Sequence, residues 1–105
     1  MIVIDNMLKY DSTIEIEKIK PFYNICPITK QREEMNIEIV YKPNKHLLEL
    51  GSYREFFKNG FDCYVEEIAQ KVFDHINKLI KPKELKVRVF MLEEKLTPWT
   101  VEIVM

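Results

Sequence analysis

Cys26 and Glu33 are the residues of this chain whose types and spacing best suit a reaction. They stand in the stretch Tyr23-Asn24-Ile25-Cys26-Pro27-Ile28-Thr29-Lys30-Gln31-Arg32-Glu33. The cysteine closes an apolar-rich run, a proline stops that run, and a carboxylate follows seven residues after the thiol. A nucleophilic thiol needs such a setting: held still at the edge of an element, partly accessible, and near a group that moves a proton. A carboxyl within reach takes the thiol's proton and returns it later, provided its pKa suits both steps. Glu34 is adjacent and could serve in place of Glu33. The plainer alternatives are a buried cysteine acting as a small hydrophobe and two solvated loop carboxylates.

The elements that must hold these residues are read from periodicity. Residues 1–12 form a poorly patterned arm, with apolar residues at Ile2, Ile4, Met7 and Leu8, and residues 13–105 form a single domain. The alternation Ile14-Glu15-Ile16-Glu17 predicts a strand that ends before Pro21. Met35, Ile37, Ile39 and Tyr41, alternating with Asn36, Glu38 and Val40, predict a half-buried strand closed by Pro43. Asn44 is the predicted cap of a helix from Lys45 to about Lys58, interrupted at Gly51 and ended by Asn59-Gly60.

Val65, Ile68, Ala69, Val72, Phe73, Ile76, Leu79 and Ile80 recur at helical spacing, with Asp62 as the predicted cap and Pro82 as the stop. Leu85, Val87, Val89 and Met91 alternate next. Glu93-Glu94-Lys95 offers a turn, and Thr97 to Met105 alternates again through Trp99, Val101 and Ile103. The order strand, strand, helix, helix, strand, strand predicts an α+β domain. Its four-stranded antiparallel sheet carries both helices on one face.

Composition narrows the function classes. A chain of 105 residues supports one core. Sixteen basic and seventeen acidic residues leave a net charge of −1, so no global field attracts nucleic acid and any such binding needs a local patch. Lys78, Lys81, Lys83 and Lys86 cluster around one predicted turn, as a solvated face or as the first candidate for phosphate contact.

Cys26 and Cys63 are expected as reduced thiols in a cytoplasmic protein, because Met1-Ile2-Val3-Ile4-Asp5 has neither the basic start nor the apolar core of a secretion signal. The apolar runs are too short to span a membrane. His46 and His75 lack ligand spacing to either cysteine, so no metal is expected. No glycine-rich phosphate loop occurs. Trp99, Tyr10, Tyr23 and Phe22 could stack a base, although packing explains them as well.

The cysteine stretch resembles the Cys-Pro-x-Thr-x-x-x-acid loop of the nitrile reductases that act on 7-cyano-7-deazaguanine. It also resembles their archaeal relatives, the QueF-like amidinotransferases that complete archaeosine in tRNA. The resemblance runs more faintly from about Phe22 to about Val89. It implies the T-fold, in which sheets of several subunits join edge to edge into a barrel and bind purine-like ligands where subunits meet. It implies Cys26 as the nucleophile that forms a thioimide with the nitrile carbon. Glu33 then stands where the family carries its acid, usually an aspartate.

Counting back from Pro82 puts the family's His-Glu pair on Val65 and Glu66. The resemblance therefore implies Glu66 as the carboxylate that holds the base, whereas Val65 departs from the pattern. A helix's first turn favours acidic residues in any case. The reductases carry a Glu-Ser-Lys-Ser-x-Lys-x-Tyr run that helps place a nicotinamide cofactor. Here Glu49-Leu50-Gly51-Ser52-Tyr53-Arg54 keeps Glu49 and Ser52 as substrate-binding candidates, but Gly51 replaces the first lysine and the stretch is shorter.

The chain is therefore similar to the amidinotransferases. That similarity implies tRNA as partner, ammonia or ammonium as nitrogen donor, no cofactor, and a homo-oligomer such as a pentamer or decamer. The alternatives are an NADPH-dependent reductase of the free base and a non-catalytic T-fold binding protein.

Overall fold

A computed structural model of the chain describes residues 3–7, 9, 11–17, 21–91 and 100–104. In chain order the elements are β1 (Val3–Asp5), β2 (Ile14–Glu17), β3 (Phe22–Ile25), β4 (Arg32–Lys42), β5 (His46–Leu48), α1 (Leu50–Phe56), α2 (Val65–Ile80), β6 (Glu84–Met91) and β7 (Thr100–Val104). The main sheet is antiparallel, in the order β2-β4-β6-β7, and β3 also pairs with β4.

Strand β4 organises the fold. Met35, Ile37, Ile39 and Tyr41 project from it into the core, where Leu85, Val87 and Val89 of β6 meet them. Its far edge is shared: β3 pairs with residues 32–35 and β2 with residues 38–41. At Asn36 the side chain serves the backbone: its Oδ1 accepts the Ile37 N–H at 2.8 Å.

Helix α2 covers this sheet face, packing on β5, β6 and β7. It buries Ile68, Ala69, Val72, Phe73, Ile76 and Ile80. Each of the larger side chains contributes about 1.5–3 kcal/mol through burial. Lys81 ends the helix in the left-handed region at φ 44°, and Pro82 bars continuation. Helix α1 is held by an aromatic cluster: Tyr53 and Phe56 lie against Phe57 with centroids 5.1 Å apart, and Phe57 lies 5.1 Å from Phe22.

Several expectations are corrected. The helix predicted from Lys45 begins at Leu50, because His46–Leu48 pairs with the N-terminal arm as β5. Its cap is Glu49 rather than Asn44: the carboxylate folds back to accept the Gly51 and Ser52 N–H groups at 2.9 and 2.6 Å. Gly51 sits in the first turn and does not interrupt the helix. A Cβ there would lie 3.0 Å from the Glu49 Oε1.

Asp62 does not cap α2. The cap is Tyr64, without a side-chain bond, because residues 61–63 are held alongside β3. The main sheet has five strands rather than four, since Phe22–Ile25 is a strand. Tyr10, the turn at Glu93–Lys95 and Trp99 lie outside the described residues.

Candidate functional site

The β3–β4 hairpin loop presents the thiol. Cys26 N–H donates to the Gln31 carbonyl at 3.0 Å, and Lys30 N–H donates to the Cys26 carbonyl at 2.9 Å. This turn needs Lys30 in the left-handed region at φ 62°. It also wraps donors around the sulfur. The Thr29 hydroxyl, followed by the Thr29 and Ile28 N–H groups, lowers the thiol's pKa from the ordinary cysteine value, against burial and the nearby Glu33 charge. The Gln31 N–H donates to the Thr29 Oγ1 at 3.3 Å, a bond that does not use the hydroxyl's own proton. A small nest of donors thus favours the thiolate.

Opposite the loop stands the head of α2, fixed by Asn24. This residue is fully buried on β3. Its Oδ1 accepts the Cys63 N–H at 3.1 Å, and its Nδ2 donates to the Cys63 carbonyl at 2.8 Å. The Nδ2 also donates to the Glu33 Oε1 at 2.9 Å. One side chain therefore holds both the carboxylate and the segment leading into α2. Backbone bonds extend the clamp, from Phe61 N–H to the Tyr23 carbonyl at 3.0 Å and from Ile25 N–H to the Phe61 carbonyl at 2.9 Å. The close approach requires Gly60, at φ 66°, because a Cβ there would lie 2.6 Å from the Tyr23 carbonyl oxygen.

Between the loop and the helix head lies an open cavity of about 220 Å³, lined by Cys26, Pro27, Glu33, Cys63, Tyr64, Val65, Glu66 and Met91. Three residues singled out in the sequence, Cys26, Glu33 and Glu66, thus share one space. Glu34 does not line it. It projects from the other face of β4 and pairs with Arg32 at 3.0 Å. Val65 gives the cavity an apolar wall next to Glu66.

Glu49 and Ser52 are not brought to this cavity. They close the start of α1, where the two N–H bonds hold the Glu49 carboxyl below its ordinary pKa. Cys63 lines the cavity as a free, buried thiol whose pKa burial raises, in contrast to the half-buried Cys26. His46 pairs with Asp5 at 3.4 Å, and His75 stacks on Phe56 with centroids 4.8 Å apart. Among the described residues no group of three or more His, Cys, Asp and Glu side chains could hold a metal. No described helix is long and apolar enough to cross a membrane.

Sequence reasoning passed over Asn24, and it gave Thr29 no part beyond its place in the cysteine motif. The available signals were parity and proximity. Asn24 takes the inward position after Phe22 on the run to the cysteine, and Thr29 is the first hydroxyl beyond it.

No model of a known protein family matches the chain. Individual relatives do. A protein of Chloroherpeton thalassium named NADPH-dependent 7-cyano-7-deazaguanine reductase is 38% identical over 82 residues, covering 73% of this chain and 67% of the relative. A protein of the same name from Chlorobium phaeobacteroides is 36% identical over 90 residues, covering 81% and 74% respectively. Among solved structures, the apo archaeosine synthase QueF-Like superposes with a TM-score of 0.78 at 18% identity, covering 89% of this chain and 92% of that one. The fold is that of the T-fold QueF-like proteins, an α+β unit with antiparallel sheets and two helices. By sequence, the chain belongs to the 7-cyano-7-deazaguanine reductase family.

Proposed function

We propose that the chain is a tRNA-modifying amidinotransferase that converts the nitrile of 7-cyano-7-deazaguanine in tRNA to the amidine of archaeosine. The observation that carries the reading is the single cavity uniting Cys26, Glu33 and Glu66. The Cys26 thiolate adds to the nitrile carbon, forming the C–S bond of a thioimide, while Glu33 delivers the thiol's proton to the nitrile nitrogen. Ammonia then adds to the same carbon. The C–S bond breaks, the amidine leaves, and the sulfur recovers its proton. No electrons are gained or lost.

Glu66 offers only acceptors, which suits adjacent N–H groups on the pyrimidine edge of the base. Glu49 and Ser52 stay in the proposal as contacts to a substrate bound between subunits. A cavity of about 220 Å³ is small for a ligand site, which ordinarily spans roughly 300–1,000 Å³. Exposed Ile28, Leu50 and Tyr64 would be covered by a neighbouring copy. We therefore propose a closed homo-oligomer, a pentamer or decamer, in the cytoplasm. Light scattering that reports a monomer at working concentration would count against the ring.

A second reading is favoured by the names of the sequence relatives: NADPH-dependent reduction of the free base, with hydride in place of ammonia at the thioimide carbon. Val65, where the reductase pattern has histidine, and Gly51, where it has its first lysine, favour the amidinotransferase.

The test incubates the protein with 7-cyano-7-deazaguanine, free and within tRNA, with ammonium or with NADPH, and records intact protein mass and product mass. The expected result is a covalent adduct on Cys26 and an amidine formed on tRNA with ammonium. Amine from the free base with NADPH oxidation would establish the reductase instead. Absence of any adduct would leave the fold as a binding scaffold.

A further inference from the structure

Three of the chain's sixteen basic residues line one cleft. At the end of β4 remote from Cys26, a depression of about 440 Å³ is walled by Lys9, Lys45 and Lys83, with Asn6 and Asn44 between them and Asp11 as its one carboxylate. The N-terminal arm builds one wall. Its Asn6 donates through Nδ2 to the Asn44 carbonyl at 3.0 Å, and its backbone N–H donates to the Lys45 carbonyl at 2.9 Å.

The opposite wall is set where α2 turns into β6. There the Lys83 N–H donates to the Lys42 carbonyl at 2.9 Å. The Lys83 Nζ reaches the Asp11 Oδ1 at 3.1 Å. That bond, with the field of Lys42, holds the Asp11 carboxyl below its ordinary range. Lys9 and Lys45 are exposed, and among the described residues no carboxylate other than Asp11 lines the cleft.

From this we infer that the Lys9–Lys45–Lys83 cleft, floored by amide groups and walled by the N-terminal arm, is a docking surface for the phosphate backbone of a folded RNA. The inference rests on the tRNA reading above and specifies which surface of the chain that RNA touches. Its warrant is charge complementarity. In a chain of net charge −1, sequence-independent attraction to phosphates must come from a local concentration of lysines.

Of the lysines that sequence alone clustered, Lys83 belongs to this surface, while Lys78 points out from α2 and Lys86 lines a separate depression with Lys42. Glu33 and Lys42 are nine residues apart on one strand, so the cleft lies about 30 Å from the thiol cavity. An occupant that reaches both within one chain is an extended folded RNA, not a mononucleotide.

The experiment measures binding of a labelled, unmodified tRNA transcript from 50 to 200 mM salt to the full chain and three variants. Lys9→Ala/Lys45→Ala should weaken binding at low salt and make the salt slope shallower by about one per lysine. Asp11→Asn frees Lys83 and removes the opposing charge, so it should bind more tightly. Lys58→Ala/Lys78→Ala, an equal charge change on exposed residues outside the cleft, should leave the slope close to that of the parent.

Equal weakening by both lysine pairs would reduce the effect to bulk charge and overturn the assignment. Absence of tRNA binding by the parent, or no gain from Asp11→Asn, would also overturn it. Adduct formation on free 7-cyano-7-deazaguanine, followed in parallel by mass, should be unchanged in all variants. Failure of that adduct in the parent sinks the catalytic reading, whereas its persistence alongside unaltered tRNA affinity in the Lys9/Lys45 variant sinks only the cleft.

Discussion

Asn24 and Glu33 face each other across the β3–β4 ladder, and the asparagine amide donates to the glutamate carboxylate at 2.9 Å. The bond ties the proposed acid to the segment that begins α2, because the same amide holds both backbone groups of Cys63. Truncating Asn24 to alanine orphans those groups in a buried setting. We expect a loss of roughly 2–6 kcal/mol, summed from about 1–3 for each of the two Cys63 groups left unsatisfied. Urea denaturation measures it, and an unchanged midpoint would show that water replaces the amide. Asn24→Asp should also slow adduct formation, since it sets a second carboxylate against Glu33.

The two thiols should separate cleanly. Cys26→Ala removes the nucleophile and should abolish adduct and turnover, whereas Cys63→Ala should leave the adduct intact and cost a modest amount of stability from lost packing. Intact mass after incubation with the nitrile decides this. Equal loss in two folded variants would remove Cys26 from its assigned part.

Alkylation by iodoacetamide should show the low pKa of Cys26. The thiolate is the reacting form, so the rate climbs as pH rises through the thiol's pKa. Donors that favour the thiolate move that climb below the roughly 8.5 of an ordinary cysteine. Thr29→Val removes the hydroxyl, the largest of the lowering influences, and should shift the curve back upward. Cys63, whose pKa burial raises, should react only at higher pH. Superimposable curves for parent and Thr29→Val would show that the hydroxyl does not govern the sulfur.

Glu33→Gln should slow the chemical step by about 10²–10⁴-fold, the usual cost of a lost acid–base group. Glu34→Gln should be nearly silent, because its partner is Arg32 on the other face of β4. Glu66→Gln should raise KM more than it lowers kcat. Steady-state kinetics on the three variants checks the pattern, and a crippled Glu34→Gln would move the acid by one position.

What the sequence made legible was periodic and local. The run from Val65 to Ile80 is helical with its apolar face inward, and Met35 to Tyr41 alternates as drawn. Cys26, Glu33 and Glu66 were found through spacing and resemblance, and they meet in one cavity. What stayed hidden depended on partners distant in sequence. His46–Leu48 is a strand only because Val3–Asp5 lies beside it. Phe22–Ile25 hid its alternation by burying an asparagine, whose partners at Glu33 and Cys63 cannot be read locally. Glu49 breaks the usual preference for short polar caps, and its carboxylate packs close over Gly51, where a Cβ would lie 3.0 Å from Oε1.

The pairing of β1 with β5 implies an order of thermal events. Among the described residues three pairs join the two strands, and Ile4 and Asp5 stand exposed on the outer one, whereas β4 is paired along both edges. Opening of such a short outer strand costs a fraction of global unfolding. Amide hydrogens of the arm should therefore exchange with solvent well before those of Ile37 or Ile39. Warming should first dissolve the wall that Asn6, Lys9 and Asp11 build, at a temperature where Asn24 still clasps Glu33 and the thiol still meets a small nitrile. Heat would then erode grip on a large polyanion ahead of chemistry on a free base, and the two activities would fail in sequence.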